Sequence, residues 1–165
     1  MTTPSSHPGP TLRPATRDDV DAIADVWHQG WRDGHLGHVP DALLPHRGLV
    51  HFRERVPPRL PTTTVATIGS TVVGFVTVHE DEAEQVYVAA SARGSGTANA
   101  LLRHAEQVIA QRFETAWLAV ATGNARARRF YEKCGWRDAG GFDYEAEIRG
   151  GTIPVPCRRY EKRVR

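Results

Sequence analysis

Cysteine, lysine and long apolar runs are all scarce in this sequence of 165 residues. The two cysteines, Cys134 and Cys157, are too few for a disulfide scaffold and predict free thiols in a reducing compartment. No apolar stretch approaches the ~18–20 residues that a membrane helix needs. Residues 1–10 contain no apolar segment of the kind found in secretory signals. We therefore expect a cytoplasmic protein without a membrane partner.

Lysine occurs only at positions 133 and 162 among 21 basic residues, a bias that we attribute to a GC-rich bacterial genome. The net charge is only +2 with neutral histidine, and the arginines are scattered, with no basic run interleaved with aromatic residues. A nucleic-acid partner is therefore not expected. A hydrophobic fraction of 40% and a charged fraction of 24% are ordinary for a globular domain with a real core.

The order of hydrophobic patterns predicts the fold class. Residues 1–10 are rich in Ser, Thr, Pro and Gly and predict a flexible tail, which leaves one domain over residues 11–165. A capping box at 16–19 begins an amphipathic helix, residues 49–55 suit a second helix, and later helices are predicted from 97 and 125. Alternating patterns predict strands over these segments: 11–14, 63–68, 72–79, 85–89, 116–121, 142–148 and 152–164. This order indicates an α/β domain with a mixed sheet.

Two segments depart from the regular strand pattern. Residues 80–84 are acidic and predict a connection between strands. Pro154 and Pro156 fall early in the last strand, and proline has no N–H to donate to a ladder. We therefore expect regular pairing of this strand to begin only near Cys157, with residues 152–156 forming a bent segment.

A glycine turn, residues 93–98, follows the strand predicted at 85–89 and opens a helix. The first N–H groups of a helix lack acceptors and the helix dipole is positive there, so such a turn can bind an anion. Gly94 and Gly96 allow close backbone approach, and Arg93 adds positive charge. The implied ligand is a phosphate or pyrophosphate; the alternative is a turn whose glycines serve only chain reversal. A P-loop would need Lys followed by Ser or Thr, and a dinucleotide fold would need a third glycine where Asn99 stands.

The same turn resembles a family signature. Its residues Arg93 to Ala98 match the pattern Arg/Gln-x-x-Gly-x-Gly/Ala, which marks the GNAT superfamily of N-acetyltransferases. The segment from Asn124 to Trp136 is similar to the family's second signature, Asn-x-x-Ala-x-x-Phe/Leu-Tyr-x-x-x-Gly-Phe, with Trp in the last place. The resemblance covers about residues 11–163 and implies the GNAT fold, a mixed, mostly antiparallel central sheet of about seven strands flanked by about four helices.

Acetyl-CoA is the cosubstrate that the resemblance implies. Its pyrophosphate would lie on the glycine turn, which comprises Arg93, Gly94, Ser95, Gly96, Thr97 and Ala98. Its pantetheine arm would lie beside Val86, Tyr87 and Val88 like an added strand, with the N–H groups of Tyr87 and Val88 reaching the thioester carbonyl. Asn124 is implied to contact the same arm, although a plain helix cap accounts for it equally well.

Candidate catalytic residues come from the resemblance and from the acidic segment. The resemblance implies that Tyr131 protonates the departing thiolate, as a phenol of ordinary pKa about 10 could; core packing beside Phe130 is the alternative. Glu82 and Glu84 share one face of an extended chain, so either could accept the amine proton through a water. The alternative is a solvated acidic loop, with His79 or water alone as the base.

The acceptor pocket is expected to come from the first helix, the loop after it and the last hairpin. Its candidate large side chains are Trp27, Trp31, His35 and Tyr144. The two tryptophans, spaced i and i+4, also suit a helix core. The histidines at 35, 38, 46 and 51 lack a recognisable ligand spacing, so no metal is predicted.

The predicted activity is transfer of an acetyl group from acetyl-CoA to a primary amine of a small molecule, directly within a ternary complex. The alternatives are a non-catalytic acyl-CoA-binding sensor, a protein N-terminal or lysine acetyltransferase, and a nucleotide-binding oxidoreductase. CoA release with a panel of amines separates the sensor from the enzyme, and NAD binding would mark the oxidoreductase. Dimers are common in the family, so a homodimer is an allowed partner, but no interface can be read from the sequence.

Overall fold

The computed structural model describes residues 9–165, so most of the tail predicted at 1–10 lies outside the described residues. The strands are β1 (Thr11–Pro14), β2 (Thr63–Ile68), β3 (Thr71–His79), β4 (Glu82–Val88), β5 (Thr115–Ala121), β6 (Arg137–Ile148) and β7 (Gly151–Arg163). They form one sheet in the order β1-β2-β3-β4-β5-β7-β6. Every neighbouring pair is antiparallel except β4 and β5, which are parallel. The expected mixed, mostly antiparallel sheet of seven strands is confirmed.

Four α-helices flank this sheet within residues 9–165, as expected. They are α1 (Val20–His35), α2 (Leu49–Arg55), α3 (Thr97–Ala110) and α4 (Ala125–Lys133), with 3-10 turns at Arg17–Asp19, Asp41–His46, Pro57–Thr62 and Ala90–Ala92. One core lies between α1, α2 and the sheet and contains Trp27, Phe52 and Phe75. A second core lies on the opposite face, where α3 buries Leu101 and Leu102. No helix in the described part of the chain is long and apolar enough to cross a membrane.

Hydrogen bonds around Asp19 fix the start of α1. The Thr16 N–H donates to the Asp19 carboxylate at 2.7 Å, as the predicted capping box requires. The Arg13 guanidinium, in β1, donates to both Asp19 oxygens at 2.7 and 2.8 Å. This bidentate contact holds the pKa of the buried Asp19 carboxyl down at about 2. Charge pairing therefore joins the first strand to the first helix.

The acidic segment is not the connection that the sequence indicated, because β4 begins inside it. Only Glu80 and Asp81 form the turn, and Glu82 already pairs with His79 of β3. The Trp117 N–H and indole N–H both donate to Asp81, one to its backbone oxygen and one to its carboxylate, at 3.0 Å each. These contacts anchor the turn to β5 and place the following acidic residues on a strand.

The bent segment expected at 152–156 is also wrong, because β7 pairs with β6 from Gly151 onward through both prolines. The Pro156 carbonyl accepts the Thr122 N–H at 3.2 Å, on the β5 side of the strand. Pro154 and Pro156 have one residue between them, so their ring nitrogens point to that same side. Neither proline therefore interrupts the hydrogen bonds to β6. β7 pairs with β5 only from Cys157 onward. The N–H groups that the two prolines lack would therefore point to a side where β7 has no neighbouring strand.

Candidate active site

The strands β4 and β5 run side by side only at the start of β4. Their one paired position joins Glu82 to Trp117, and beyond it the two strands separate. A cleft of about 740 Å³ opens there and is lined by both strands, by α1, by the first turn of α3 and by α4. Beyond the paired position, the facing edges of β4 and β5 have no strand between them. The cleft can therefore accept an extended ligand that forms hydrogen bonds like a strand.

Alternate residues of β4 point their N–H groups in opposite directions. The Ala89 N–H donates to the Val73 carbonyl of β3 at 2.8 Å. Because bonded pairs alternate along an antiparallel ladder, Tyr87 also turns its N–H to β3, whereas Val86 and Val88 turn theirs into the cleft. This geometry corrects the role expected for the Tyr87 N–H, since the register with β3 fixes its direction. The cleft-facing donors are those of Val86 and Val88.

The glycine turn lies at the α3 end of the cleft. Gly94 and Gly96 have φ values of 78° and 83°, which glycine adopts without strain, and α3 begins directly after Gly96. Ala100 is the first residue of α3 whose N–H finds a carbonyl, that of Gly96 at 3.0 Å. Among residues 9–165, the N–H groups of Ala98 and Asn99 before it have no such acceptor. They line the cleft at the positive end of the helix dipole, where an anion would be stabilised.

The remaining side chains of the glycine turn differ in their surroundings. Arg93 is exposed and pairs with Asp33 of α1 at 2.8 Å. The Ser95 hydroxyl bonds within the turn, to the Ala92 carbonyl and to the Thr97 hydroxyl. Ser95 does not line the cleft, whereas the other five residues of the turn do. The hydroxyl groups thus hold the turn in shape. The N–H groups of Arg93, Ser95 and Thr97 are bonded within this region, which leaves those of Gly94, Gly96 and Ala98 for a ligand.

Asn124 and Tyr131 face the cleft from the α4 side. The Asn124 side-chain oxygen accepts the Ala127 N–H at 3.2 Å, so this residue caps the helix. Its amide nitrogen lies against α1, where a Cβ on Gly34 would stand 2.7 Å away. Tyr131 packs its ring against Phe130, and burial raises the pKa of its phenol to about 12. The phenol therefore stays protonated at neutral pH and is available as a proton donor.

Glu82 is the most deeply placed carboxyl of the cleft, with 7% of its surface exposed. It accepts the Tyr144 hydroxyl at 3.2 Å. Burial, and then the negative charge of Glu84, raise the pKa of Glu82 to about 7. Glu84 is compensated by Arg59, whose Nε lies 2.6 Å from its Oε1, and His79 is exposed at the end of β3. Of the three candidate bases, Glu82 combines burial in the cleft with a pKa near neutrality.

The aromatic residues expected in the acceptor pocket form its floor. Trp27 and Trp31 are only 1% and 6% exposed, and both pack against Phe52. His35 stacks on Trp31 with ring centroids 4.9 Å apart, and burial lowers its pKa to about 4, so its ring is neutral. Tyr87 belongs to the same apolar cluster. Within residues 9–165, no group of three or more His, Cys, Asp or Glu side chains is arranged to hold a metal ion.

Three arginines that the sequence analysis did not single out also line the cleft: Arg47, Arg55 and Arg59. They lie between α1 and β2, in a segment of short helices and prolines without a clear hydrophobic period. Their place in the cleft depends on contacts with Glu84 and Glu147, which are distant in sequence. No local spacing signal in the sequence would have identified them.

Comparison with known proteins agrees with this geometry. The model of the acetyltransferase (GNAT) family matches residues 21–136, whereas no curated protein matches the sequence. A GCN5-related N-acetyltransferase from Rhodopseudomonas palustris superposes with a TM-score of 0.74 at 19% identity, covering 95% of this chain and 97% of that one. A PaiA N-acetyltransferase from Thermoplasma acidophilum, solved in complex with coenzyme A, gives a TM-score of 0.71 at 16% identity, covering 94% and 99%. A ribosomal-protein-alanine N-acetyltransferase from Brucella melitensis gives 0.69 at 19%, covering 93% and 99%.

The structural likenesses, at these identities, show a shared fold. The family match covers well over half of the chain and includes the splayed strands β4 and β5, the glycine turn and α4. The cleft between those strands, the turn at its α3 end and the capped helix opposite agree with that match. On this basis the chain belongs to the GNAT acetyltransferase family.

Proposed function

We propose that this protein is an acetyl-CoA-dependent N-acetyltransferase that acts on a primary amine of a small molecule. The observation that carries the proposal is Glu82, a buried carboxyl with a pKa of about 7 in the same cleft as the glycine turn. A base whose pKa lies near the working pH accepts a proton efficiently and releases it again. A protein that only sensed the cosubstrate would need no such base.

The residues of the cleft fit acetyl-CoA. The N–H groups of Ala98 and Asn99 suit its diphosphate, since they lie at the positive end of α3. Those of Val86 and Val88 suit the amide-containing arm, which can continue the ladder along the open edge of β4. Coenzyme A is bound in the related structure from Thermoplasma acidophilum, which supports the same use of the fold here.

Each catalytic group has one task in this proposal. Glu82 takes a proton from the amine, directly or through a water, as the nitrogen bonds to the thioester carbon. A cleft-facing N–H of Val86 or Val88 stabilises the charge that develops on the carbonyl oxygen. Tyr131 gives its phenolic proton to the thiolate as the C–S bond breaks, and it regains a proton from solvent.

The position of Glu82 favours a small acceptor. With 7% of its surface exposed, this carboxyl can be approached only from inside the cleft. The buried rings of Trp27 and Trp31 line the same cleft. A primary amine on a small molecule can enter that space, which is why we prefer this class to an exposed lysine on a folded protein.

Ligand-dependent unfolding is the first test. Acetyl-CoA and CoA are each expected to raise the Tm, whereas NAD and ATP are not; a ligand at 100 times its Kd adds about 2.7 kcal/mol to the free energy of unfolding. Stabilisation by NAD, or none by CoA, would contradict the proposed cosubstrate. Release of the CoA thiol with a panel of primary amines then separates an enzyme from a sensor, which would bind acetyl-CoA and release no thiol.

The Glu82→Gln variant tests the base. Its kcat/KM is expected to fall by roughly 10²–10⁴-fold, while stabilisation by acetyl-CoA is retained. Glu80→Gln is the matched control, because it removes an exposed negative charge two residues earlier without touching the cleft. Equal activity in Glu82→Gln and the control would remove Glu82 from the mechanism.

A further inference from the structure

The acceptor half of the cleft is lined by three arginines, Arg47, Arg55 and Arg59, and by four glutamates, two of which pair with arginines. Arg59 pairs with Glu84 at 2.6 Å and lies 3.7 Å from Glu147, and the Arg55 Nε lies 3.6 Å from the same Glu147. The Arg55 guanidinium also stands over the Trp27 ring, 4.3 Å from its centroid. These two arginines therefore share two carboxylates, and neither carboxylate is left over for a third cation.

That third cation is Arg47, which is 6% exposed. It donates to two backbone carbonyls, those of His46 at 3.0 Å and Glu147 at 2.6 Å. Within residues 9–165, no carboxylate lies within 4.0 Å of its guanidinium, and the buried Nε groups of Arg47 and Arg55 have no hydrogen-bond partner. Burial of a charge without a counter-charge is costly, and such a group is stabilised when an anion reaches it.

Burial and nearby positive charges lower the pKa values of two arginines of this cluster. Desolvation lowers the pKa of Arg47, and it lowers the pKa of Arg55 to about 10 with a further contribution from the neighbouring arginines. Glu145 also borders the cleft, but its carboxylate accepts the Thr152 hydroxyl at 2.7 Å on the exposed side of the hairpin. The cleft thus has an acidic group at Glu82 and a basic group at Arg47 and Arg55.

We propose that the acceptor is an amino-acid-like molecule, whose amine faces Glu82 and whose oxyanion is bound by Arg47 and Arg55. This inference rests on the proposed function, and it names the substrate class. The oxyanion is a carboxylate, phosphonate or sulfonate, all of which accept the paired N–H bonds of a guanidinium. Trp27 and Trp31 also line the cleft and offer the body of the molecule an apolar wall of small exposed area. A polyamine fits less well, because its second ammonium would meet the arginines.

Matched acceptors test the proposal in the wild-type enzyme. The probes are the common L-amino acids, each compared with its carboxamide, and L-phenylalanine compared with 2-phenylethylamine. A second series consists of β-alanine, 2-aminoethylphosphonate and taurine. In these three compounds the same two-carbon chain separates the amine from a carboxylate, a phosphonate or a sulfonate, so the series compares the three oxyanions. The acid is expected to exceed its amide in kcat/KM by roughly 10–100-fold, the worth of charge-assisted hydrogen bonds in a desolvated site. Equal rates for acids, amides and simple amines would overturn the proposal and leave the acetyltransferase activity intact.

Substitution of the arginines then locates the oxyanion. Arg47→Gln and Arg55→Gln are expected to raise KM for the acid towards that of its amide, with unchanged stabilisation by acetyl-CoA. Arg53→Gln is the matched control, because Arg53 is on the same helix as Arg55, is exposed and does not line the cleft. A purely structural role for Arg47 would lower the Tm and reduce activity towards acid and amide alike, which would overturn its assignment as the oxyanion ligand.

A binding measurement separates this inference from the proposed function. N-acetyl-L-amino acids, as product probes, are expected to stabilise the wild type more than their carboxamides do, and Arg47→Gln is expected to remove that difference. If no amine supports thiol release while this preference is found, the proposed function fails and the oxyanion site stands. If neither turnover nor binding distinguishes acid from amide, the oxyanion site is overturned whatever the activity.

Discussion

Replacing Glu82 by Gln is expected to make the protein more stable above neutral pH while it lowers kcat/KM. The carboxyl lies in a desolvated position, and burial is the largest cause of its raised pKa. Its ionised form is therefore less favourable in the folded state than in the unfolded chain. Glutamine has the same shape, keeps an acceptor for the Tyr144 hydroxyl at 3.2 Å and carries no charge.

The pH window follows from the two pKa values. Between the ordinary value of 4.5 and about 7, the folded state keeps the Glu82 proton and the unfolded state does not. The stability of the wild type therefore falls as pH rises through this range. The Gln variant lacks this pH dependence, because glutamine does not titrate. At about 1.4 kcal/mol per pKa unit the difference amounts to ~3 kcal/mol, or roughly 6–12 °C in Tm for a chain of this size.

Thermal unfolding at pH 4 and pH 8 measures this difference for the wild type, Glu82→Gln and the exposed control Glu80→Gln. The free energy of unfolding of Glu82→Gln, relative to the wild type, is expected to be ~3 kcal/mol higher at pH 8 than at pH 4. For Glu80→Gln, the difference from the wild type is expected to be the same at both pH values. An advantage that is the same at both pH values would mean that Glu82 has an ordinary pKa. Glu82 would then not be poised as a base, whatever the activity of the variant.

Three further substitutions test other parts of the structure. Tyr131→Phe is expected to lower kcat by roughly 10²-fold without changing stabilisation by acetyl-CoA, since only the proton donor is lost; wild-type kcat across the pH range would remove this role. Gly96→Glu adds bulk and negative charge at a φ of 83°, so acetyl-CoA should no longer raise the Tm; a retained rise would place the diphosphate elsewhere. Asp19→Asn should lower stability by about 2 kcal/mol at pH 7, because the Arg13 contact is lost. Urea unfolding should show this deficit shrinking as pH falls from 4 to 2, and a constant deficit would contradict the charge pairing.

Features that depend on neighbours in sequence could be predicted. The capping box at 16–19, the helix at Leu49–Arg55 and the glycine turn before α3 all follow from residues within one or two turns of chain. The two motifs likewise predicted the family, because each is a contiguous segment at fixed spacing. Such local signals also gave the order of the strands along the chain, and with it the fold class.

Features that depend on the pairing of distant segments could not be predicted. The burial of Glu82 requires Tyr144, 62 residues later, and the position of Arg47 requires the Glu147 carbonyl, 100 residues later. The direction of the Tyr87 N–H depends on register with β3, which composition does not reveal. The charge pattern at 80–84 resembled a solvated loop because the partners that compensate it are far away in sequence.

Because β4 and β5 share a single paired position, the sheet consists of two smaller sheets that are joined at one end. The proposed base and the glycine turn belong to one of them, and the capped helix with Tyr131 belongs to the other. The joint lies at the base itself, since Glu82 is the residue that pairs with Trp117. A small angular change there alters the separation of proton acceptor and proton donor, and it is opposed by the Tyr144–Glu82 hydrogen bond, which joins the two halves. Trp117, which is bonded to Asp81 through both its backbone and its indole, thus sets the alignment of the two halves from outside the cleft.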